Sequence, residues 1–271
     1  MRFQTLHKSL LISIAATALA APGLLAGTYF ESNQTTDVEK GRDQTIVVEG
    51  WVEGKNARVE FRESTSPAVS EGTYILTTDG AETVYLVNPE EQTYMEWDLA
   101  ALVGSLGQMM QGMGGMMEME FRDQRVEKVA EEPGPEILGY STTHYTFESA
   151  YTLVIKVMGM GREMRTETVQ EIWSTSELSA PGFGLWLQKA PETGIEGLDE
   201  YLEQEMGKAA TGFPLKTETV TTTIGQKGRE SVSTTTTEVT TLREESIPAS
   251  RFQIPEGFTK TEMPDLGALG N

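Results

Sequence analysis

The chain offers little for side-chain catalysis: its 271 residues include His7 and His144 as the only histidines, and no cysteine. Thiol chemistry is therefore excluded, and histidine triads or zinc sites have at most His144 to build on once the leader around His7 is set aside. His144, between Thr143 and Tyr145 at the edge of a strand, reads as a structural or surface residue. Neither Gly225-Gln226-Lys227-Gly228 nor Gly159-Met160-Gly161 has the spacing or the strand-then-helix setting of a phosphate loop. Two carboxylates suffice for glycoside hydrolysis, but 41 acidic residues make accidental pairs inevitable, and no pair stands out. The expectation is a non-enzymatic protein with no cofactor.

Methionine is the exception. Met109, Met110, Met113, Met116, Met117 and Met119 are six of the 13 in the chain, and Met158, Met160 and Met164 form a second group. Thioether sulfur is soft and prefers Cu(I), so Met110, Met113, Met116 and Met117 make a candidate metal set. Methionine is also flexible and polarizable, which suits an adaptable apolar cover over a groove. A third reading is an ordinary mobile loop. The adopted reading is the cover, because Leu99, Leu102, Val103 and Leu106 make the cluster continuous with an apolar segment opening at Asp98. Leu99, Leu102, Val103, Leu106, Met109, Met110 and Met113 are then lid residues.

The elements that would position such a lid are mostly strands. Thr45 to Val52 and Ala57 to Arg62 flank the turn signal Glu53-Gly54-Lys55-Asn56, and Thr73 to Thr78 is joined through Asp79-Gly80 to Val84 to Val87. Asn88-Pro89-Glu90-Glu91 turns the chain into Thr93 to Trp97. Between Tyr145 and Val157 apolar residues fall on odd positions, predicting one buried face with Tyr151, Leu153 and Ile155 among the groove residues. Ile195 to Ala209 reads as an amphipathic helix, with Ile195, Leu198, Leu202 and Met206 on one stripe. Phe213 to Ile224 and Glu230 to Leu242 read as a threonine-rich hairpin around Gly225 to Gly228.

Residues 1–26 have the form of a cleavable secretory signal. Arg2 and Lys8 precede the apolar run Ser9 to Ala21, which is too short to span a bilayer, and cleavage fits after Ala20 or, better, after Ala26. The expected organisation is a signal peptide over 1–26, a single domain over 27–260 and a flexible tail over 261–271. After cleavage no anchor is expected, and the expected location is the periplasm. A net charge of −20 repels phosphate backbones and argues against nucleic acid as a partner.

Several ordered pieces carry a family resemblance: Ala57-Arg58-Val59-Glu60; Tyr85 to Glu96 with Asn88-Pro89 at its turn; Ile137-Leu138-Gly139-Tyr140 with His144-Tyr145; Glu171-Ile172-Trp173; Gly212-Phe213-Pro214-Leu215-Lys216; and Ile247-Pro248 followed by Phe252 and Ile254 to Phe258. In this order the chain resembles the exported bacterial proteins of domain-of-unknown-function family 4412. The resemblance implies a mainly β (α+β) fold similar to the LolA and LolB carriers, a single curved antiparallel sheet forming a half-barrel whose concave face a few helices cover. It implies no catalytic residues. The function expected from residues and resemblance together is carriage of a hydrophobic ligand, with a lipid or a lipoprotein acyl chain as partner. Cu(I) binding and a structural or stress-related envelope role are the alternatives.

Overall fold

The computed structural model describes residues 27–39, 41–67, 69–80, 83–97, 117–157, 160–178, 195, 197–207 and 211–262. The expected signal peptide (1–26) and the segment 98–116, which holds all seven expected lid residues and Met116, lie outside the described residues.

Among the described residues twelve strands join in one open sheet. They are β1 (Gly27–Val38), β2 (Gln44–Glu53), β3 (Asn56–Ser64), β4 (Tyr74–Thr77), β5 (Val84–Asn88) and β6 (Thr93–Trp97), then β7 (Met117–Pro133), β8 (Thr143–Val157), β9 (Met160–Thr175), β10 (Phe213–Ile224), β11 (Glu230–Glu245) and β12 (Thr259–Thr261). The order across the sheet is β12-β6-β5-β4-β3-β2-β1-β11-β10-β9-β8-β7. Two runs of sequential hairpins are thus sewn together by the long-range pairing of β1 with β11, in which Phe30 faces Leu242 and Thr36 faces Thr235. Among the described residues β12 on β6 is parallel and the other pairings are antiparallel, so the sheet is mixed where a purely antiparallel one was expected. Thr261, expected to open the tail, ends β12, and its hydroxyl donates to the Tyr94 carbonyl.

The turns form where local chemistry demands them. Gly54 closes the β2–β3 hairpin at φ 59°, a left-handed conformation that favours glycine. Asn88 Oδ1 accepts the backbone N–H groups of Glu90 and Glu91 at 3.1 and 3.2 Å, an Asx arrangement that starts the β5–β6 turn. The Asp79 carboxylate accepts the Thr77 hydroxyl at 3.0 Å and the Thr83 N–H at 3.1 Å between β4 and β5. Burial works to raise the Asp79 pKa, but these hydrogen bonds outweigh it and hold the carboxyl below its ordinary range. Glu31 is also lowered, first by the hydrogen bond from Tyr29. A carboxyl depressed in the folded state contributes stability above its unfolded pKa of about 4 and loses it as pH falls through the folded value. Thermal melts should therefore be flat in the Asp79 and Glu31 contributions from pH 7 to about 5 and fall below about pH 4. Asp79→Ala should shrink that acid decline.

Around the start of β1 both faces of the sheet are buried, which is why Tyr29 and Phe30, adjacent and therefore pointing opposite ways, are 4% and 1% exposed. On one face Phe30, Val52, Ala57, Val59, Phe213, Leu215 and Val239 pack into a core, with the Phe30 and Phe213 rings edge to face at 5.7 Å. On the other, Tyr29, Trp51, Tyr74, Leu76 and Val87 are covered by the chain that follows β11, through Ile247, Phe252, Ile254 and Phe258. That arm crosses the outer face in a short 3-10 turn, Ala249–Phe252, before β12 adds to the sheet edge.

Charges on this outer face are tied to the same arm. Glu60, 12% exposed, meets Arg58 at 2.7 Å, Arg62 at 3.1 Å and Arg251 of the arm at 3.5 Å. Arg58 lies over the Tyr74 ring at 3.6 Å and donates to the Arg251 carbonyl at 3.2 Å, while Arg251 lies over Trp51 at 4.1 Å. Removing the one carboxylate that faces three guanidinium groups leaves a half-buried positive cluster. Glu60→Gln should cost about 1–3 kcal/mol, less than a fully buried pair because Arg62 is exposed. The same variant should make residues 246–262 cleavable by limited proteolysis before the rest of the sheet.

One α-helix is found among the described residues, α1 (Leu198–Met206). It is shorter than the expected Ile195 to Ala209, because Gly197, at φ 53°, breaks the helical path at its start. A Cβ on Gly197 would stand 2.3 Å from the Phe121 carbonyl oxygen, so glycine permits the helix to dock against β7. Asp199 and Glu200 in the first turn complement the helix dipole.

Candidate functional site

The sheet curls around a cavity of about 420 Å³. Ile75 on β4 and Gln170 on β9 both line it although six strand spacings separate them, roughly 29 Å in a flat sheet. Only a strongly curved sheet brings them to the same space. Below the cavity the core around Phe30 and Phe213 packs solid; Gly50, opposite Phe30, has no room for a side chain, since a Cβ there would lie 2.1 Å from the ring.

The cavity wall is divided by strand. From β2, β3 and β4 come Ile46, Val48, Val59, Phe61 and Ile75, and Pro214, Leu215 and Val239 extend this apolar surface across β10 and β11. From β1, β9, β10 and β11 come Ser32, Gln34, Gln170, Thr217, Thr219 and Thr237. No described lining residue carries a charge. The hydroxyl rows follow from register: Thr36 pairs with Thr235, Thr235 with Thr219, and Thr219 with Gln170. Thr36 and Thr235 share a hydrogen bond at 3.1 Å, and Gln170 Nε2 donates to the Thr219 hydroxyl at 3.4 Å.

Tyr151, Leu153 and Ile155, expected in the groove, do not line this cavity. They lie farther along β8, opposite β7, where Leu153 pairs with Phe121 and Ile155 with Met119. Tyr151 packs its ring 5.5 Å from Phe121 and 5.0 Å from Tyr201 of α1. Burial pushes the Tyr201 hydroxyl up to about 12, although its contact with Ser149 opposes the shift. The odd-position alternation on β8 also ends early: Tyr145, Phe147 and Ser149 are buried, but farther on it is Ala150, Thr152 and Val154 that are buried while Tyr151, Leu153 and Ile155 are half-buried. Of the candidate metal ligands, Met110, Met113 and Met116 lie outside the described residues and Met117 begins β7, where its side chain is not described. Among the described residues no cluster of three or more His, Cys, Asp or Glu could hold a metal ion.

His144 stands on the outer face, stacked flat on Trp173 at 4.5 Å, with Nδ1 3.4 Å from Glu132 and Nε2 3.7 Å from Glu171. Of the cavity residues that sequence reasoning did not single out, Val59 and Phe61 carry a signal, alternating with Arg58, Glu60 and Arg62 on β3, whereas Ile46 and Val48 are separated by the equally apolar Val47 on β2.

Among solved structures the chain is similar to a LolA superfamily protein from Nitrosomonas europaea, at 11% identity and a TM-score of 0.33 over 84% of this chain and 90% of that one. An uncharacterized conserved protein from Thermus thermophilus is similar at 11% identity and a TM-score of 0.33, over 86% and 91% of the two chains. A DUF1329 family protein from Desulfovibrio piger is similar at 12% identity and a TM-score of 0.33, over 85% and 91%. No curated protein matches the sequence. The model of the family described as Domain of unknown function (DUF4412) matches residues 41–258, from β2 through the arm on the outer face, and the chain belongs to that family.

Proposed function

We propose that the protein binds a hydrophobic ligand in the cavity inside the curled sheet and carries it without chemical change. The observation that supports this most is the apolar wall of Ile46, Val48, Val59, Phe61 and Ile75 around about 420 Å³, a volume within the range of small-molecule sites. Each methylene that enters such a space gains about 0.8 kcal/mol. The described lining has no histidine, lysine or carboxylate, the groups that acid–base catalysis uses, which favours a binder over an enzyme. A lipid acyl chain is the ligand class that fits an apolar wall of this kind. Displacement of N-phenyl-1-naphthylamine from the purified protein by alkyl ligands tests the reading. Saturable displacement at one site per chain is the expected outcome, and absence of probe binding would contradict it.

The place of action that best suits this role is the periplasm. The Arg2 to Ala26 pattern supports it, and cleavage after Ala20 or Ala26 leaves the buried Thr28, Tyr29 and Phe30 of β1 intact. Expression of the full chain in a Gram-negative host should yield periplasmic protein whose N-terminus is Ala21 or Gly27. Recovery only of chains that retain Met1, in the cytoplasmic fraction, would overturn this placement.

A further inference from the structure

We infer that the cavity selects an amphiphile with an uncharged, hydrogen-bonding headgroup, a monoacylglycerol or similar hydroxylated lipid, rather than a fatty acid or a phospholipid. The inference rests on the proposed ligand-binding role and adds the headgroup chemistry. The wall is wholly apolar on β2, β3 and β4 and wholly polar on β1 and β9, while β10 and β11 add Thr217, Thr219 and Thr237 beside the apolar Pro214, Leu215 and Val239. A ligand lying across it therefore meets apolar groups at one end and hydrogen-bonding groups toward the other. The polar end is made of Ser32, Gln34, Gln170, Thr217, Thr219 and Thr237, groups that both donate and accept hydrogen bonds and carry no charge.

The hydroxyl surface does not stop at the cavity. Register continues it along the same face, from Thr219 and Thr235 to Thr221 and Ser233, then to Thr223 and Ser231, with Thr168 and Thr166 beside them on β9. Arg58, Glu60, Arg62, Glu49 and Arg243 sit on the opposite face, tied to one another or to Tyr29. A carboxylate or phosphate entering the cavity would lose its hydration and meet no cation among the described lining residues. The chain's net charge of −20 adds a field that disfavours anions further. A quaternary ammonium group would lose hydration in the same way and meet no carboxylate. A glycerol head, by contrast, exchanges water for threonine hydroxyls and glutamine amides at little net cost.

The test compares three ligands of one chain length, 1-monomyristoylglycerol, myristate and myristoyl-lysophosphatidylcholine, in competition with N-phenyl-1-naphthylamine on the purified protein. The monoacylglycerol should bind at least about tenfold tighter than either charged ligand. In the double variant Thr219→Val with Thr237→Val, which keeps side-chain shape and β-branching, the monoacylglycerol should weaken by about tenfold while the apolar probe, which needs no headgroup hydrogen bond, binds at least as tightly as before. Retained probe binding also shows that the variant is folded. Equal affinity for the three ligands, or tighter binding of a charged one, overturns the headgroup inference and leaves the ligand-binding role standing. If neither the probe nor any of the three binds, that role falls and the inference falls with it.

Discussion

Val48→Trp should abolish ligand binding while leaving the sheet folded. Val48 lies on β2 opposite Ser32 of β1 and Phe61 of β3, and its side chain points into the cavity. An indole there occupies space that three or four methylenes of a ligand would fill. At about 0.8 kcal/mol per methylene the loss is about 3 kcal/mol, or more than a hundredfold in affinity. Tryptophan suits a strand, and Val48 is only half-buried, so the free protein has room for the ring. Val169→Trp is the matched control, because Val169 lies on β9, 41% exposed and on the face away from the cavity. Displacement titrations should show binding lost in the first variant and unchanged in the second. Unaltered affinity in Val48→Trp would mean that the ligand binds elsewhere.

The second large effect is on stability. Phe30, 1% exposed, stands against Phe213 at the floor of the cavity, and Phe30→Ala should cost about 3–5 kcal/mol in chemical denaturation. Gly50→Ala should also destabilise, by about 1–3 kcal/mol, because its new Cβ meets the Phe30 ring. The two changes share one contact. In the double variant the ring that collides is gone, so the combined loss should fall at least about 1 kcal/mol short of the sum. Strict additivity would show that Gly50 is glycine for some other reason.

Much of the strand content was legible from turn chemistry. Gly54, Asp79-Gly80, Asn88-Pro89 and Gly225 to Gly228 each close a hairpin whose two strands are neighbours in sequence, so local propensity is enough to place them. The joining of the two hairpin runs was not legible. Gly27 pairs with Glu245 through interactions that no local pattern announces, and only the completed sheet shows that β1 is central.

Of the residues expected in a groove, Tyr151, Leu153 and Ile155 lie on β8 opposite β7 and do not line the cavity of about 420 Å³. Alternation on β8 reveals that one face is buried but not what buries it, and in the structure Tyr151 packs against α1 and Phe121 rather than facing the cavity. The outer-face core shows the limit of reading period 2 alone. Tyr29-Phe30 and Trp51-Val52 place apolar residues on both faces, a departure from alternation that signals a strand covered on both sides. The cover is Ile247, Phe252, Ile254 and Phe258, apolar residues spaced among prolines in a segment with little strand propensity.

The central claim, that the cavity holds a hydrophobic ligand, is tested most directly by mass spectrometry of organic extracts from protein purified without detergent, with wild type and Val48→Trp handled in parallel. A lipid recovered at close to one per chain from wild type and absent from the variant is the predicted result. Equal recovery from both proteins would contradict it, as would repeated extraction of no lipid from a wild-type protein that also fails to take up lipid in solution.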